Sequence, residues 1–185
     1  MRKAAGLLCA LSLLIPLGMT AAGSAGAAAS ATTQCKAVSG KQTYTPALPI
    51  VTSKATVNTS IASTSKLTGC VGGGVTSGVA TSKSTMKNDN CALFVKNFAK
   101  PTTGTLSIKW NNGKTSAAST TLTSKSKVGA NPVIVQLVTK FTGGLFAGHS
   151  STVTLKATGN AGAKTCISVG LSFFTFVNSG PIVSK

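Results

Sequence analysis

The fold is decided by the stretch TLSIKWNNGKTS, residues 105–116. Its first half alternates polar with apolar residues, so that its three apolar side chains would share one face of a β-strand. The Asn-Gly pair at 112–113 suits a type I′ turn, in which both central residues take positive φ. The stretch therefore predicts a β-hairpin whose second strand runs over 115–123.

The chain on either side of this hairpin has the composition of strands and turns. Ser, Thr, Gly and Val are frequent, and no helical periodicity is present beyond the N-terminal region. Further strands are predicted at 34–45, 54–68, 75–85, 91–98, 132–141, 150–158 and 165–177. Many short strands separated by turn signals predict an all-β fold of about eight or nine strands. It would be an antiparallel β-sandwich, with Greek-key or jelly-roll-like connections, or a flattened barrel.

The N-terminal region is typical of a secretory signal peptide. Two basic residues precede an apolar run over 4–17, and small residues then dominate as far as position 31. The apolar run is too short to span a bilayer. We therefore assign residues 1–31 to a cleaved signal peptide and its cleavage region, and residues 32–185 to a single β-sandwich domain. The mature protein is expected to be secreted, extracellular or associated with the cell envelope, and to have no transmembrane segment.

Four cysteines follow the leader: Cys35, Cys70, Cys91 and Cys166. An even number of cysteines in an oxidising compartment predicts two disulfides. Four cysteines allow three pairings, among which the sequence does not choose; we favour Cys35–Cys70 with Cys91–Cys166. Because no Cys-x-x-Cys pair is present and the one histidine is far from any close cysteine spacing, we expect no metal site and no cofactor.

Acidic side chains are nearly absent from the mature chain, which contains Asp89 and sixteen lysines. Glycoside hydrolysis by paired carboxylates and carboxylate-rich calcium sites are therefore excluded by count. A hydrolase could formally use a serine with His149 and Asp89, but no Gly-x-Ser-x-Gly motif is present, and both residues lie in turn-like sequences. We expect no enzyme activity and keep the hydrolase as a second alternative.

A resemblance rests on the leader and on four segments: LTGC (67–70), NC (90–91), GTLSIKWNNGKTS (104–116) and GLFAG (144–148). The chain resembles a group of small, secreted, Ser/Thr/Gly-rich all-β proteins from actinobacteria that have no assigned activity. The likeness covers most of the mature chain. It implies an extracellular or envelope β-domain and assigns a role to no residue.

The charge of the mature chain suggests its partners. Sixteen lysines and one aspartate leave a net charge of +15, which attracts anionic surfaces. We therefore expect a non-catalytic binding or structural module for an anionic ligand, such as a cell-wall polymer, a polysaccharide or a lipid head group. The candidate contact residues are Lys109, Trp110, Lys114, Lys125 and Lys127.

Trp110 has two interpretations at this stage. It could stack on a sugar, but we favour a core tryptophan that caps one end of the domain. Specific nucleic-acid recognition is not expected, because arginine forks are missing and most aromatic residues fall at core-like strand positions. The first alternative function is a membrane-active, pore-forming-like β protein, because Ser/Thr and apolar residues alternate loosely over 54–85.

Overall fold

The computed structural model of the chain describes residues 34–97, 100–126, 132–158, 166, 168–178 and 182–184. The predicted signal peptide over 1–31 and the candidate contact residue Lys127 lie outside these residues. The elements are β1 (Gln34–Leu48), β2 (Val57–Val71), β3 (Ser77–Asp89), α1 (Cys91–Asn97), β4 (Thr102–Trp110), β5 (Thr115–Ser124), β6 (Val133–Gly144), β7 (Ser150–Thr158), β8 (Leu171–Asn178) and β9 (Val183–Ser184).

The strands form a closed up-and-down barrel. Each of the first seven strands pairs antiparallel with the next one in the chain, and β8 pairs with β1 to complete the ring. The short β9 pairs with β7 next to the segment that β8 occupies. The all-β prediction is confirmed, and the barrel is the observed one of the two predicted architectures. Its neighbour-to-neighbour connections replace the Greek-key or jelly-roll order of the sandwich.

The β4–β5 hairpin is confirmed, with a different turn. Lys109 pairs with Thr115, and the Trp110 N–H donates to the Lys114 carbonyl at 2.9 Å. Gly113 takes a positive φ of 81°, but Asn112 does not, so the loop is not type I′. The Asn111 side chain joins this loop to the start of β3, because its Oδ1 accepts the N–H groups of Thr76 and Ser77.

One end of the barrel, here called the Trp110 end, is closed by a buried cluster. Trp110 packs edge-on against Phe146, with ring centroids 5.1 Å apart, and its Nε1–H donates to Ser116 Oγ at 2.9 Å. A Cβ at Gly78 would lie 2.7 Å from the indole ring, so this position needs glycine. The Cys35–Cys70 disulfide belongs to the same cluster and joins paired residues of β1 and β2.

The opposite end, here called the helix end, carries α1 and the second disulfide. Cys91, the first residue of α1, is fully buried and bonded to Cys166. Tyr44, Leu48 and Leu171 pack in the same cluster. Both disulfides follow the pairing that the sequence analysis favours.

The strand predicted at 91–98 is wrong, because α1 occupies Cys91–Asn97. Asn90 begins this helix: its Oδ1 accepts the Leu93 N–H at 3.0 Å, and its carbonyl accepts the Phe94 N–H at 2.9 Å. An asparagine cap of this kind satisfies N–H groups that would otherwise lack partners in the first turn. In the described part of the chain, no helix has the length and apolar character that crossing a membrane requires.

Candidate ligand cavity

The inward faces of the strands enclose a cavity of about 480 Å³. Its walls are mainly apolar and include Trp110, Val135, Leu137, Val153, Leu155 and Phe176. An eight-stranded barrel is either filled by its own side chains or just wide enough for one small ligand. The observed volume lies within the range of sites that bind small molecules.

The cavity exists because one wall carries small side chains. Ser63 and Ser65 of β2, and Ala80 and Ser82 of β3, face the lumen and fill little of it. The opposite wall, on β6, β7 and β8, supplies larger apolar side chains. The difference leaves space along β2 and β3 that these side chains do not occupy.

The cavity opens between β3 and β4. The ladder that joins these strands covers only residues 78–81 and 107–110. Beyond it, the remainder of β3 and the first half of β4 are not paired with each other. Among the described residues of the cavity wall, the exposed ones come from β3, α1 and β4: Thr81, Ser84, Thr85, Asn97, Thr102, Thr103 and Gly104. We call this opening the mouth.

Three polar side chains reach the cavity at the helix end. Gln42 Nε2 donates to the Tyr44 hydroxyl at 2.8 Å, and Tyr44 is only 4 % exposed. Burial raises the pKa of Tyr44, and the nearby Asp89 carboxyl raises it further, so this phenol is neutral. Asp89 Oδ1 accepts the Asn90 N–H at 2.8 Å. Burial raises the pKa of Asp89, and that hydrogen bond opposes the rise.

Aromatic rings surround this polar group. Tyr44 meets Phe94 edge-on and Phe174 at a tilt, with ring centroids 6.2 Å apart in both pairs. All three rings line the cavity, as does Asp89. A carboxyl group and three aromatic side chains therefore lie together at the helix end of one apolar cavity.

A second polar group lies on another part of the wall. Thr120, Thr139 and Ser151 are paired across β5, β6 and β7, and all three line the cavity. Thr139 is 5 % exposed. A ligand with a polar group at this level of the lumen could form a hydrogen bond with its hydroxyl.

The candidate contact residues named from the sequence do not form one site. Lys109 and Lys114 lie near the Trp110 end of the β4–β5 hairpin, and Lys125 lies beyond its other end. The ten residues of β5 separate Lys114 from Lys125 by roughly 30 Å. Trp110 is 3 % exposed and lines the cavity, so its indole can contact only a molecule inside the barrel.

The residues of the formal hydrolase are also kept apart. Asp89 ends β3 at the helix end, whereas His149 lies in the β6–β7 turn at the Trp110 end. A strand of thirteen residues such as β3 spans roughly 40 Å. The structure therefore does not bring this acid and this imidazole together.

The charges are divided between the two sides of the barrel wall. Every lysine in the described part of the chain is exposed, and none lines the cavity. Asp89 is the one charged side chain among the described residues that line it. The outer surface is therefore cationic, while the lumen is apolar with a single acid.

The sequence analysis missed the cavity, Tyr44 and Gln42. The available signal was weak: β2 alternates Ser63 and Ser65 with Thr64 and Lys66, so both of its faces look polar. Comparison with known proteins gives no further guidance, because no protein-family model, curated protein or solved structure matches the chain.

Proposed function

We propose that the protein is a secreted, non-catalytic binding protein that holds one small, largely apolar molecule in the barrel lumen. The cavity of about 480 Å³ with its mouth between β3 and β4 is the observation that carries this proposal. Apolar surface moved from water into such a lumen gains about 25 cal/mol per Å². The two disulfides are compatible with an oxidising, extracellular environment.

The test is a titration with N-phenyl-1-naphthylamine, a neutral apolar dye whose fluorescence rises in apolar surroundings. The dye should saturate the wild-type protein at one equivalent. Ser63→Phe places a ring in the lumen, so it should abolish or strongly weaken binding. Thr64→Phe adds the same ring to the outer face of the same strand and should bind the dye as the wild type does. Equal binding by both variants, or no binding by the wild type, would refute the proposal.

A second candidate function rests on the outer surface. All described lysines are exposed, and this cationic surface favours adhesion to an anionic wall polymer, polysaccharide or lipid head group. Sedimentation with phosphatidylglycerol vesicles should show binding that falls as salt rises, because exposed charges are screened over about 8 Å at physiological ionic strength. Equal binding to phosphatidylcholine vesicles would contradict adhesion by charge.

The membrane-active alternative receives less support. Strands that insert into lipid carry an apolar outer face. The outward side chains of β2 include Ser60, Thr64 and Lys66, all exposed, whereas its inward face carries Ile61 and Leu67. This pattern favours a ligand inside the barrel over insertion of these strands into lipid.

A further inference from the structure

We propose that the molecule held in the lumen is an amphipathic cation, whose charged nitrogen lies beside Asp89 and whose apolar body fills the barrel. This inference rests on the proposed function and specifies its ligand class. It follows from the placement of the one acid, from the aromatic rings at the same end of the cavity and from the absence of a lysine on the described cavity wall.

The position of Asp89 on the cavity wall favours a cationic ligand. Asp89 is the only acidic side chain of the whole chain, and it lies on the cavity wall instead of on the lysine-rich exterior. It is 8 % exposed, and no described lysine forms an ion pair with it. Among the described residues, the Asn90 N–H is the group that donates a hydrogen bond to the Asp89 carboxyl. A buried carboxylate with so few partners is stabilised by a cation that enters the cavity.

The aromatic rings at the helix end of the cavity also favour a cation, independently of the charge of Asp89. Tyr44, Phe94 and Phe174 line the same end of the cavity, and their ring centroids lie 6.2 Å apart in the two pairs that Tyr44 makes. The face of an aromatic ring attracts a cation, and groups of such rings suit quaternary ammonium ions in particular. An acid beside Tyr44, whose ring packs against Phe94 and Phe174, therefore selects a protonated amine or a quaternary ammonium over an anion.

The cavity has its acid at the helix end and its apolar wall toward the Trp110 end, which sets the direction in which a ligand would lie. Asp89 is at the helix end, and the exposed residues of the mouth include Asn97, Thr102 and Gly104. The apolar wall continues from there toward Trp110. A cation with an apolar body would thus keep its charge near the mouth and its body in the dry part of the lumen. The exterior lysines repel cations at long range, but salt screens this repulsion beyond about 8 Å at physiological ionic strength. The attraction between Asp89 and a cation in contact with it inside the barrel is screened much less.

Four ligands of equal chain length separate the effect of the head group's charge from that of the apolar chain: octylammonium, octyltrimethylammonium, octanol and octanoate. Calorimetric titration of the wild type should give a dissociation constant about tenfold or more lower for octylammonium than for octanol, as expected for one charge-assisted hydrogen bond to Asp89. Octyltrimethylammonium donates no hydrogen bond, but its charge is attracted to Asp89 and to the aromatic rings, so it should also bind more tightly than octanol. Octanoate should bind more weakly than octanol. The relative strength of the two cations distinguishes a protonated amine, which donates hydrogen bonds, from a quaternary ammonium, which relies on the rings.

Asp89→Asn should reduce the preference for cations over octanol to within about threefold, because it removes the charge and keeps the shape. Thr64→Lys is the matched control: it changes the net charge by the same amount on the outer face, and it should leave the preference intact. Phe174→Leu, which keeps an apolar side chain and removes a ring, should weaken octyltrimethylammonium about threefold relative to octanol.

The outcomes are distinct. If octanol binds as tightly as the cations, or if Asp89→Asn keeps the preference, the ligand class is wrong while the proposed function stands. If none of the four ligands and no N-phenyl-1-naphthylamine binds, the proposed function itself fails.

Discussion

Thr81 on β3 and Ser107 on β4 are the last paired residues of their ladder. Up to this pair, the wall of the barrel is continuous between the two strands. Beyond it, β3 runs on to Asp89 and β4 begins at Thr102 without a mutual ladder, and the cavity reaches the surface there. The exchange of a ligand would therefore pass between these two strands.

A larger residue at the mouth should slow this exchange. Gly104 is exposed, lines the cavity and has no positive φ, so it accepts a side chain; its Cβ would lie 3.4 Å from Thr120 Oγ1. Gly104→Phe should lower both the association and the dissociation rate of N-phenyl-1-naphthylamine, measured by stopped-flow fluorescence. Thr105→Phe, on the outer face of the same strand, should leave both rates unchanged. Unchanged rates in Gly104→Phe would place the mouth elsewhere.

The hydrogen bond from Trp110 to Ser116 should stabilise the Trp110 end. Ser116 is 1 % exposed and accepts the indole N–H at 2.9 Å. Ser116→Ala leaves that buried donor without its partner, which should lower the free energy of unfolding by about 1–3 kcal/mol. Trp110 is the one tryptophan of the chain, so its fluorescence reports unfolding in urea directly. Ser119→Ala, at a half-buried position of the same strand, should change the midpoint much less; an equal change in both variants would contradict this role for the hydrogen bond.

The two disulfides should stabilise the barrel to different extents. The Cys91–Cys166 disulfide joins residues that are 75 positions apart in the chain, and the Cys35–Cys70 disulfide joins residues that are 35 positions apart. The loop-closure model gives the longer loop an advantage of about 0.7 kcal/mol. The double variant Cys91→Ser/Cys166→Ser should therefore unfold at a lower urea concentration than Cys35→Ser/Cys70→Ser. The reverse order would mean that packing at the Trp110 end outweighs the constraint on the unfolded chain.

The stability of the protein should fall as Asp89 ionises. Burial raises the pKa of this carboxyl in the folded state above its ordinary value of 3.8. The folded state therefore holds the proton more tightly than the unfolded state, and stability decreases as the pH rises through the folded-state pKa. Tyr44, the titratable side chain beside it, stays neutral over this range.

Asp89→Asn removes this effect, because the amide is uncharged and its oxygen can still accept the Asn90 N–H. Without ligand, the variant should be more stable than the wild type at pH 7, and the two should converge below pH 3.8, as measured by urea unfolding. A variant that is less stable than the wild type at pH 7 would show that the charged form is well accommodated in the folded protein.

Local patterns predicted much of the barrel wall. The alternation over 105–110 correctly places Ile108 and Trp110 on the inner face, and the even cysteine count predicts the two disulfides. The segment 91–98 was misassigned because its apolar residues suit a strand as well as a short helix. The Asn90 side chain caps the helix by accepting the Leu93 N–H, and this hydrogen bond favours the helix.

The cavity could not be predicted in the same way. Its volume depends on the side chains of eight strands and on the register of every ladder, which are long-range properties. Ser63 and Ser65 look like solvent-facing residues until closure of the ring turns them inward. The surroundings of Asp89 are equally non-local, because Tyr44 of β1 lies near it and Phe174 of β8 packs against Tyr44.

The most direct test of the luminal site is to map where N-phenyl-1-naphthylamine perturbs the backbone amide signals in NMR spectra of the isotopically labelled protein. The proposal predicts saturable shifts at inward residues such as Ser63, Ala80 and Val135, and at the mouth residues around Gly104. Neighbouring outward residues such as Lys66 and Lys156 should shift much less. Shifts confined to the outer face, with the inward residues unchanged at saturation, would contradict it.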